Sequence, residues 1–407
     1  MLIERWQKKQ VASALKVRRV VHLTGARQVG KTTLAKSIKL DRCRHETLDR
    51  DLLCKAAQDD PAGFVERKEG ETFIIDEVQK APQLLNEIKM RVDENNERGQ
   101  YLLTGSSNLR FAKAVKDSLA GRMRTIRLRT LAAGEMVSGR GDFLMRAFDE
   151  DFAGTVANFG KREVIRRCFS GGYPEAMELE GRDRRDWFRD YLDDILQKDI
   201  RDVTEIRKLS SLRKVADWLL AHTAKFFEQK DLCSQAQLSK ETAANYVSAL
   251  TALYLFDEVE PWTKSEYSRI GKRSKYFAAD PSLVANLLGW KEDEVYLNDD
   301  RCGKIVETWA HHELAALADS ADGYAIYQYR DSDKKEIDFL VENDDGGLLG
   351  IEVKAGSSVG DADFRHLRWF KENLAKGKFI GIVMYSGRDT ARFGNGLYAV
   401  PLGALAL

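Results

Sequence analysis

Several things are scarce in this chain. Only five cysteines occur, at positions 43, 54, 168, 233 and 302, and they form neither a C-x-x-C pair nor a Cys/His cluster. Such spacing argues against a structural zinc site and against a disulfide framework, and leaves reduced thiols as the expectation. No apolar run is long enough to span a bilayer, and MLIERWQKKQ at the start lacks the apolar stretch of a signal peptide, so a cytoplasmic protein without membrane contact is expected. The formal net charge is only +1, so contact with nucleic acid would need a local basic patch rather than a general attraction. Six prolines and no low-complexity segment speak against long disordered linkers. The remainder is 43% apolar and 32% charged, which is a globular composition. A chain of 407 residues exceeds one comfortable core, and two or three domains are expected.

The most informative stretch is VVHLTGARQVGKTTLAKSI, residues 20–38. It reads as an apolar strand, a glycine-bounded loop and a helix start. Gly25, Gly30, Lys31 and Thr32 fit G-x-x-x-x-G-K-[ST]. The glycines allow the backbone of Gly25, Ala26, Arg27, Gln28, Val29 and Gly30, continuing into Lys31, Thr32 and Thr33, to wrap closely around a triphosphate. The new helix adds its positive end at the same place. Lys31 has the reach for the β/γ-phosphates, and the Thr32 hydroxyl suits Mg²⁺. The expected ligands are therefore ATP and Mg²⁺.

A second element follows in TFIIDEVQKAP, where Asp76 and Glu77 close an apolar strand at 73–75. Asp76 is placed to hold Mg²⁺ and Glu77 to orient or deprotonate a water. A third strand at 101–104 runs into GSSN. A polar residue at such a tip can report on the γ-phosphate; Asn108 is the first candidate, with Thr104 and Ser106 behind it. The plainer reading is a helix cap. In SLAGRMRTIRLRTL, Arg122 precedes a strand at 125–128 and is a candidate for contacting the γ-phosphate, in cis or from a neighbouring subunit; it could equally be a surface arginine.

GARQVGKTTL, FIIDEVQKAP, YLLTGSSN and LAGRMRTIRL, in this order, resemble the bacterial and archaeal AAA-type ATPases of the ATPase family 14 group, which usually carry a C-terminal DUF4143 domain. The resemblance covers almost the whole chain. It implies a core of five parallel strands flanked by helices, with Lys31, Thr32, Asp76 and Glu77 at the family's positions, and says nothing firm about cellular role.

The middle reads as helical. GGYPEA at 171–176 is a turn signal, and a helix over 187–202 follows, on which Lys198 or Arg201 is a candidate second nucleotide sensor. Three short helices, LRKVADWLLAH, QKDLCSQA and SKETAANYVSALTALYLF, lead to LFDEVEPW and SEYSRIGKRSKYFAAD. Ser239 is the expected N-cap of the third helix. Three helices and a basic hairpin suggest a winged helix. Lys264, Arg269, Lys272, Arg273 and Lys275 would then form a phosphate-contacting wing, and Lys240 and Asn245 are the few base-reading side chains on the third helix. DNA is the partner this reading implies; many winged helices make protein contacts only.

The C-terminal part holds YRDSDKKEIDFLVENDDGGLLGIEVKAG. Two strands join across an acidic turn, with Asp338 on the first and Glu352 and Lys354 two residues apart, hence on one face, of the second. Two carboxylates beside a lysine suit a metal site for phosphodiester hydrolysis. The order is a helix from near 303 containing Glu307, strands at 324–329, 337–341 and 349–354, a helix at 363–374 and a strand at 379–385. This resembles the PD-(D/E)xK nuclease superfamily. The plainer reading is an ordinary strand with Asp338 paired to Lys354, a pair that would stabilise little.

The expected architecture is thus α/β. It comprises a P-loop ATPase domain at 1–135, a helical connector at 136–208, a winged-helix-like domain at 209–295 and a nuclease-like domain at 296–407. The expected activity is Mg²⁺-dependent ATP hydrolysis that drives a DNA-directed module, with Asp338, Glu352 and Lys354 cutting DNA. The rival is a nucleotide-dependent interaction switch with an inactive docking domain. Oligomeric state stays open.

Overall fold

The computed structural model describes residues 3–105, 119–153, 159–199, 209–264 and 273–407. After a first helix, α1 (Gln7–Val17), the chain enters a five-stranded sheet. Its strands are β1 (Val20–Thr24), β2 (Cys43–Thr47), β3 (Thr72–Asp76), β4 (Tyr101–Gly105) and β5 (Met123–Arg127). Every pairing is parallel and the order is β2-β3-β4-β1-β5. β1, β3 and β4 are buried along their whole length, as expected for central strands covered on both faces, and this explains their unbroken apolar runs. One consequence matters for function. β4 lies between β1 and β3, so a residue at its C-terminal tip sits between the loop that follows β1 and the acidic pair that ends β3. Helix α2 (Lys31–Ser37) starts directly from the glycine loop.

The middle of the chain is helical through α3 (Gly181–Asp194), α4 (Leu209–Ala221), α5 (Gln229–Ala236) and α6 (Lys240–Ala252). The Ser239 hydroxyl accepts from the Thr242 N–H at 3.1 Å, the cap expected from the sequence. An antiparallel pair follows, β6 (Phe256–Val259) with β7 (Lys275–Ala278), in the register Asp257↔Phe277 and Val259↔Lys275. One apolar cluster runs from Val21, Leu23 and Leu34 of the first domain through Phe188 and Leu192 to Leu219, Leu250 and Phe256, so the middle helices are seated on the nucleotide-type sheet.

The C-terminal part opens with the long helix α7 (Asp299–Ser320). A six-stranded sheet comprises β8 (Tyr324–Arg330), β9 (Glu336–Asn343), β10 (Leu348–Lys354), β11 (Phe379–Tyr385), β12 (Ala391–Arg392) and β13 (Leu397–Pro401), with α8 (Arg365–Asn373) before β11. The order is β12-β13-β11-β10-β9-β8. β8, β9 and β10 form an antiparallel meander, and β10, β11 and β13 run parallel. Among the described residues, no helix is long and apolar enough to cross a membrane, and all five cysteines are free.

Candidate functional site

The glycine loop is shaped by backbone conformations that side chains resist. Gly25 has φ of 149° and lies against the next strand's exit, where a Cβ would stand 2.1 Å from the Leu128 carbonyl oxygen. Gly30 has φ of 95°, and Gln28, exposed at the tip, is left-handed at 61°. The Lys31 ammonium donates to the carbonyls of Gly25 at 3.0 Å and Ala26 at 2.7 Å. The Thr32 hydroxyl donates to both oxygens of Asp76, at 2.8 and 3.0 Å, while Thr33 is exposed. Thr104, at the tip of β4, also places its hydroxyl on Asp76, and accepts from the Glu77 N–H at 3.4 Å. Glu77 itself is left-handed (φ 58°, ψ 42°) and its carboxylate is held by the Gln79 amide. A non-glycine residue in that conformation at a strand end is a strained position of the kind found at working sites. Hydroxyl and carboxylate oxygens meeting at Thr32 and Asp76 are hard donors of the type Mg²⁺ takes.

Residues remote in sequence brace the loop. Arg5, buried before α1, donates to the carbonyls of Val29 (2.8 Å) and Arg129 (2.7 Å) and pairs with Glu135 at 2.9 Å. The Tyr191 hydroxyl donates to the Arg27 carbonyl at 3.3 Å, and the Tyr254 hydroxyl lies 3.1 Å from the Thr24 hydroxyl. Burial, with the Lys31 charge adding to it, lowers the His22 pKa to about 4. None of these braces carries a motif in sequence.

Arg122 requires a correction. It immediately precedes β5, whose first residue pairs with Val20, the first residue of β1. The strands are parallel, so Arg122 lies at the edge of the sheet opposite the glycine loop, a strand length of about 13 Å away. There it forms a two-point pair with Asp93, its Nη2 donating at 2.9 Å. A contact with a γ-phosphate in cis is therefore ruled out by topology. Asn108, Ser106 and Arg201 lie outside the described residues, as does the side chain of Lys198.

From the last residue of β5 onward the chain builds a partly buried ion-pair set that joins all three parts. Arg127 donates to Asp257 at 2.7 Å, and Arg129 binds Asp257 and, at 2.6 Å, Asp319 of α7. Burial works against the Asp257 carboxylate, but Arg127 and Arg129 outweigh it and hold its pKa far below the usual range. His311 faces the same aspartate at 3.9 Å; burial lowers its pKa to about 3 and keeps it neutral.

In the C-terminal sheet, Phe339↔Ile351 pairing sets Asp338 beside Glu352. Asp338 accepts from the Val353 N–H at 2.8 Å. Glu352 lies 3.5 Å from Lys354. The sequence reading thus brings Asp338, Glu352 and Lys354 together, with the lysine on Glu352 rather than on Asp338. Glu307 of α7 and Glu336 of β9 join them. The cation at the centre is Lys275, whose Nζ lies 2.5 Å from Glu307, 3.0 Å from Glu336 and 3.8 Å from Asp338. Burial raises the Glu307 pKa to about 8, the Asp338 charge adding to it while Lys275 opposes; burial also raises those of Asp338 and Glu352. Burial acts against the Lys275 ammonium, yet Glu307, Asp338 and Glu336 outweigh it and keep it charged.

Two expectations are corrected here. First, the place beside Asp338 that a metal would take is occupied by the Lys275 ammonium. Among the described residues no group of three or more His, Cys, Asp or Glu side chains is set to hold one, and the Lys275 ammonium stands among the carboxylates. Second, among the described residues Lys275 does not belong to a solvent-facing basic wing. Lys275 is 2% exposed at its side chain and points into the acidic cluster, Arg273 pairs with Glu228, and Lys264 donates to the Asn373 carbonyl at 3.3 Å. Arg269 and Lys272 lie outside the described residues. Lys240 and Asn245 are exposed on α6.

A parallel sheet in this order, with the glycine loop after β1 and an Asp-Glu pair closing β3, defines an AAA-type P-loop domain within an α/β protein. The comparisons agree. Residues 17–137 match the AAA domain model of the ATPase family 14 type, and residues 302–405 match the domain of unknown function DUF4143, the pair that the sequence motifs resemble. Residues 161–294 match a further domain of unknown function, DUF8612. Uncharacterized proteins of Mycobacterium tuberculosis and Mycobacterium bovis are each 26% identical over 98% of this chain and 84% of their own length. Among solved structures, the Thermotoga maritima RuvB Holliday junction branch migration motor is 14% identical, over 67% of this chain and 96% of its own (TM-score 0.27). Drosophila ORC bound to DNA is also 14% identical, over 70% and 94% (TM-score 0.24). Scores of that size are too low to assign a fold or a function.

Proposed function

We propose that the chain is an Mg²⁺-dependent ATP hydrolase whose nucleotide state is passed to its middle and C-terminal parts. The observation that carries this is the meeting of Thr32, Asp76 and Thr104 beside the glycine loop, with Glu77 next in the chain. The loop from Gly25 to Thr33 binds the phosphates, and Lys31 exchanges its carbonyl partners for phosphate oxygens. Thr32 and Asp76 hold Mg²⁺, which when bound offsets phosphate charge. Thr104 keeps the Asp76 carboxylate in place. Glu77, released from Gln79, orients and accepts a proton from the attacking water. Full-length Glu77→Gln should bind ATP as the native chain does and hydrolyse it about 100-fold more slowly, general-base assistance being worth that much or more. Hydrolysis at the native rate would remove Glu77 from this role.

A second reading, phosphodiester cleavage at the C-terminal sheet, is favoured by the convergence of Asp338, Glu352 and Lys354 on one face. The position of Lys275 weighs against it in this conformation and favours the interaction switch.

A further inference from the structure

Lys275 comes from the middle of the chain, yet its ammonium group is surrounded by oxygens of the C-terminal domain. An ammonium is a compact point charge with three donors and no acceptor, so it can stand where a small cation would stand. Four carboxylates crowd around it: Glu307, Glu336, Asp338 and Glu352 meet Lys275 and Lys354, with Arg330 4.0 Å from Glu336 at the margin. One buried oxygen, Oε1 of Glu352, accepts no hydrogen bond, and its residue is 7% exposed. Nδ1 of His366 lies 3.9 Å from that oxygen and also contacts the Glu336 carbonyl at 2.9 Å. A cluster selected only for stability would gain more from apolar packing than from four acids gathered around one buried ammonium.

The lysine also sits on a lever. At the other end of the β6–β7 hairpin, Asp257 takes Arg127 and Arg129 from the exit of β5. The turn just before β6 presents Tyr254 to Thr24, the last residue before the glycine loop. Two short strands thus connect the nucleotide loop with the acidic cluster.

We propose that Lys275 is the built-in occupant of a cation site, closing the Glu307–Glu336–Asp338–Glu352 cluster to divalent ions, and that the β6–β7 hairpin is the latch that holds it there. With the lysine withdrawn, the same oxygens form a hard-ligand set suited to Mg²⁺ or Mn²⁺. The proposal rests on the ATP-switch reading only for what moves the hairpin.

The test is Mn²⁺ binding to the full chain without nucleotide, read as loss of the free-ion electron paramagnetic resonance signal. Lys275→Met should bind one more Mn²⁺ per chain than the native protein, or bind it at least about tenfold tighter (1.4 kcal/mol). Adding Asp338→Asn should abolish the gain, and Lys275→Arg should show none. Equal binding by native and Lys275→Met chains would overturn the proposal. Should Lys275→Met and Lys275→Gln both fail to fold in metal-free buffer, Mn²⁺ should restore their circular dichroism; continued unfolding at saturating Mn²⁺ would overturn it equally. Because no nucleotide is present, a negative result here leaves the ATP hydrolase standing, and a negative result with Glu77→Gln leaves the lysine lock standing.

Discussion

His22 lies in the middle of a strand buried on both faces, two residues before the end of β1. Its pKa is lowered to about 4 by burial and the nearby Lys31, so the folded chain resists a proton that the unfolded chain accepts near 6.5. The stability tied to this residue is present above pH 6.5 and is lost as pH falls toward 4. Over pH 7 to 5 the loss is about 2 kcal/mol. His311, also depressed, steepens the same slope. Urea unfolding of native and His22→Gln chains at both pH values should show a smaller acid loss in the variant; identical slopes would mean that His22 is solvated. At this scale the glycine loop and the Asp-Glu pair were legible because each needs only neighbouring residues. Lys275 was not. It stood in a basic stretch and was read as a phosphate contact, while its partners Glu307 and Glu336 are 32 and 61 residues further on. The available signal was alternation: Lys275 and Phe277 occupy one face of a buried strand.

Among the elements, strands with unbroken apolar runs were legible to within two residues, because central strands bury both faces. Sheet order was not, and order is what displaces Arg122: a residue just before a parallel strand is at the wrong edge whatever its sequence neighbours. The hairpin was visible as a hairpin, but not as a strut. An acid inside an apolar strand, Asp257 within LFDEVEPW, was the clue that it has buried arginines to meet. Asp257→Asn keeps the shape and removes the charge that Arg127 and Arg129 share. It should lower stability to denaturant by about 3 kcal/mol, the usual range for breaking a buried pair from one side. A loss below half a kcal/mol would show that solvent, not Asp257, balances those arginines.

For the whole molecule, the AAA and DUF4143 assignments agree with the motifs. What joins the parts was invisible in the sequence, because apolar clusters such as that of Val21, Phe188 and Leu250 mix residues from distant segments. If nucleotide moves the hairpin, the reactivity of Lys275 should report it. In the native chain without nucleotide, acetylation by an amine-reactive ester followed by mass spectrometry should leave Lys275 unmodified while exposed lysines react. In Glu77→Gln trapped with ATP, Lys275 should become modified. Equal protection in both states would uncouple the two sites.

The set formed by Arg127, Arg129, Asp257 and Asp319 holds two positive and two negative charges contributed by three parts of the chain. Pulling those parts apart would leave the buried Arg129 and Asp257 without their partners. Turning them about that point would not, since charges near an axis move little while atoms farther out sweep a longer arc. Any rocking of the parts would therefore cost least about these four residues, and the largest displacement would fall on whatever lies farthest along the arm.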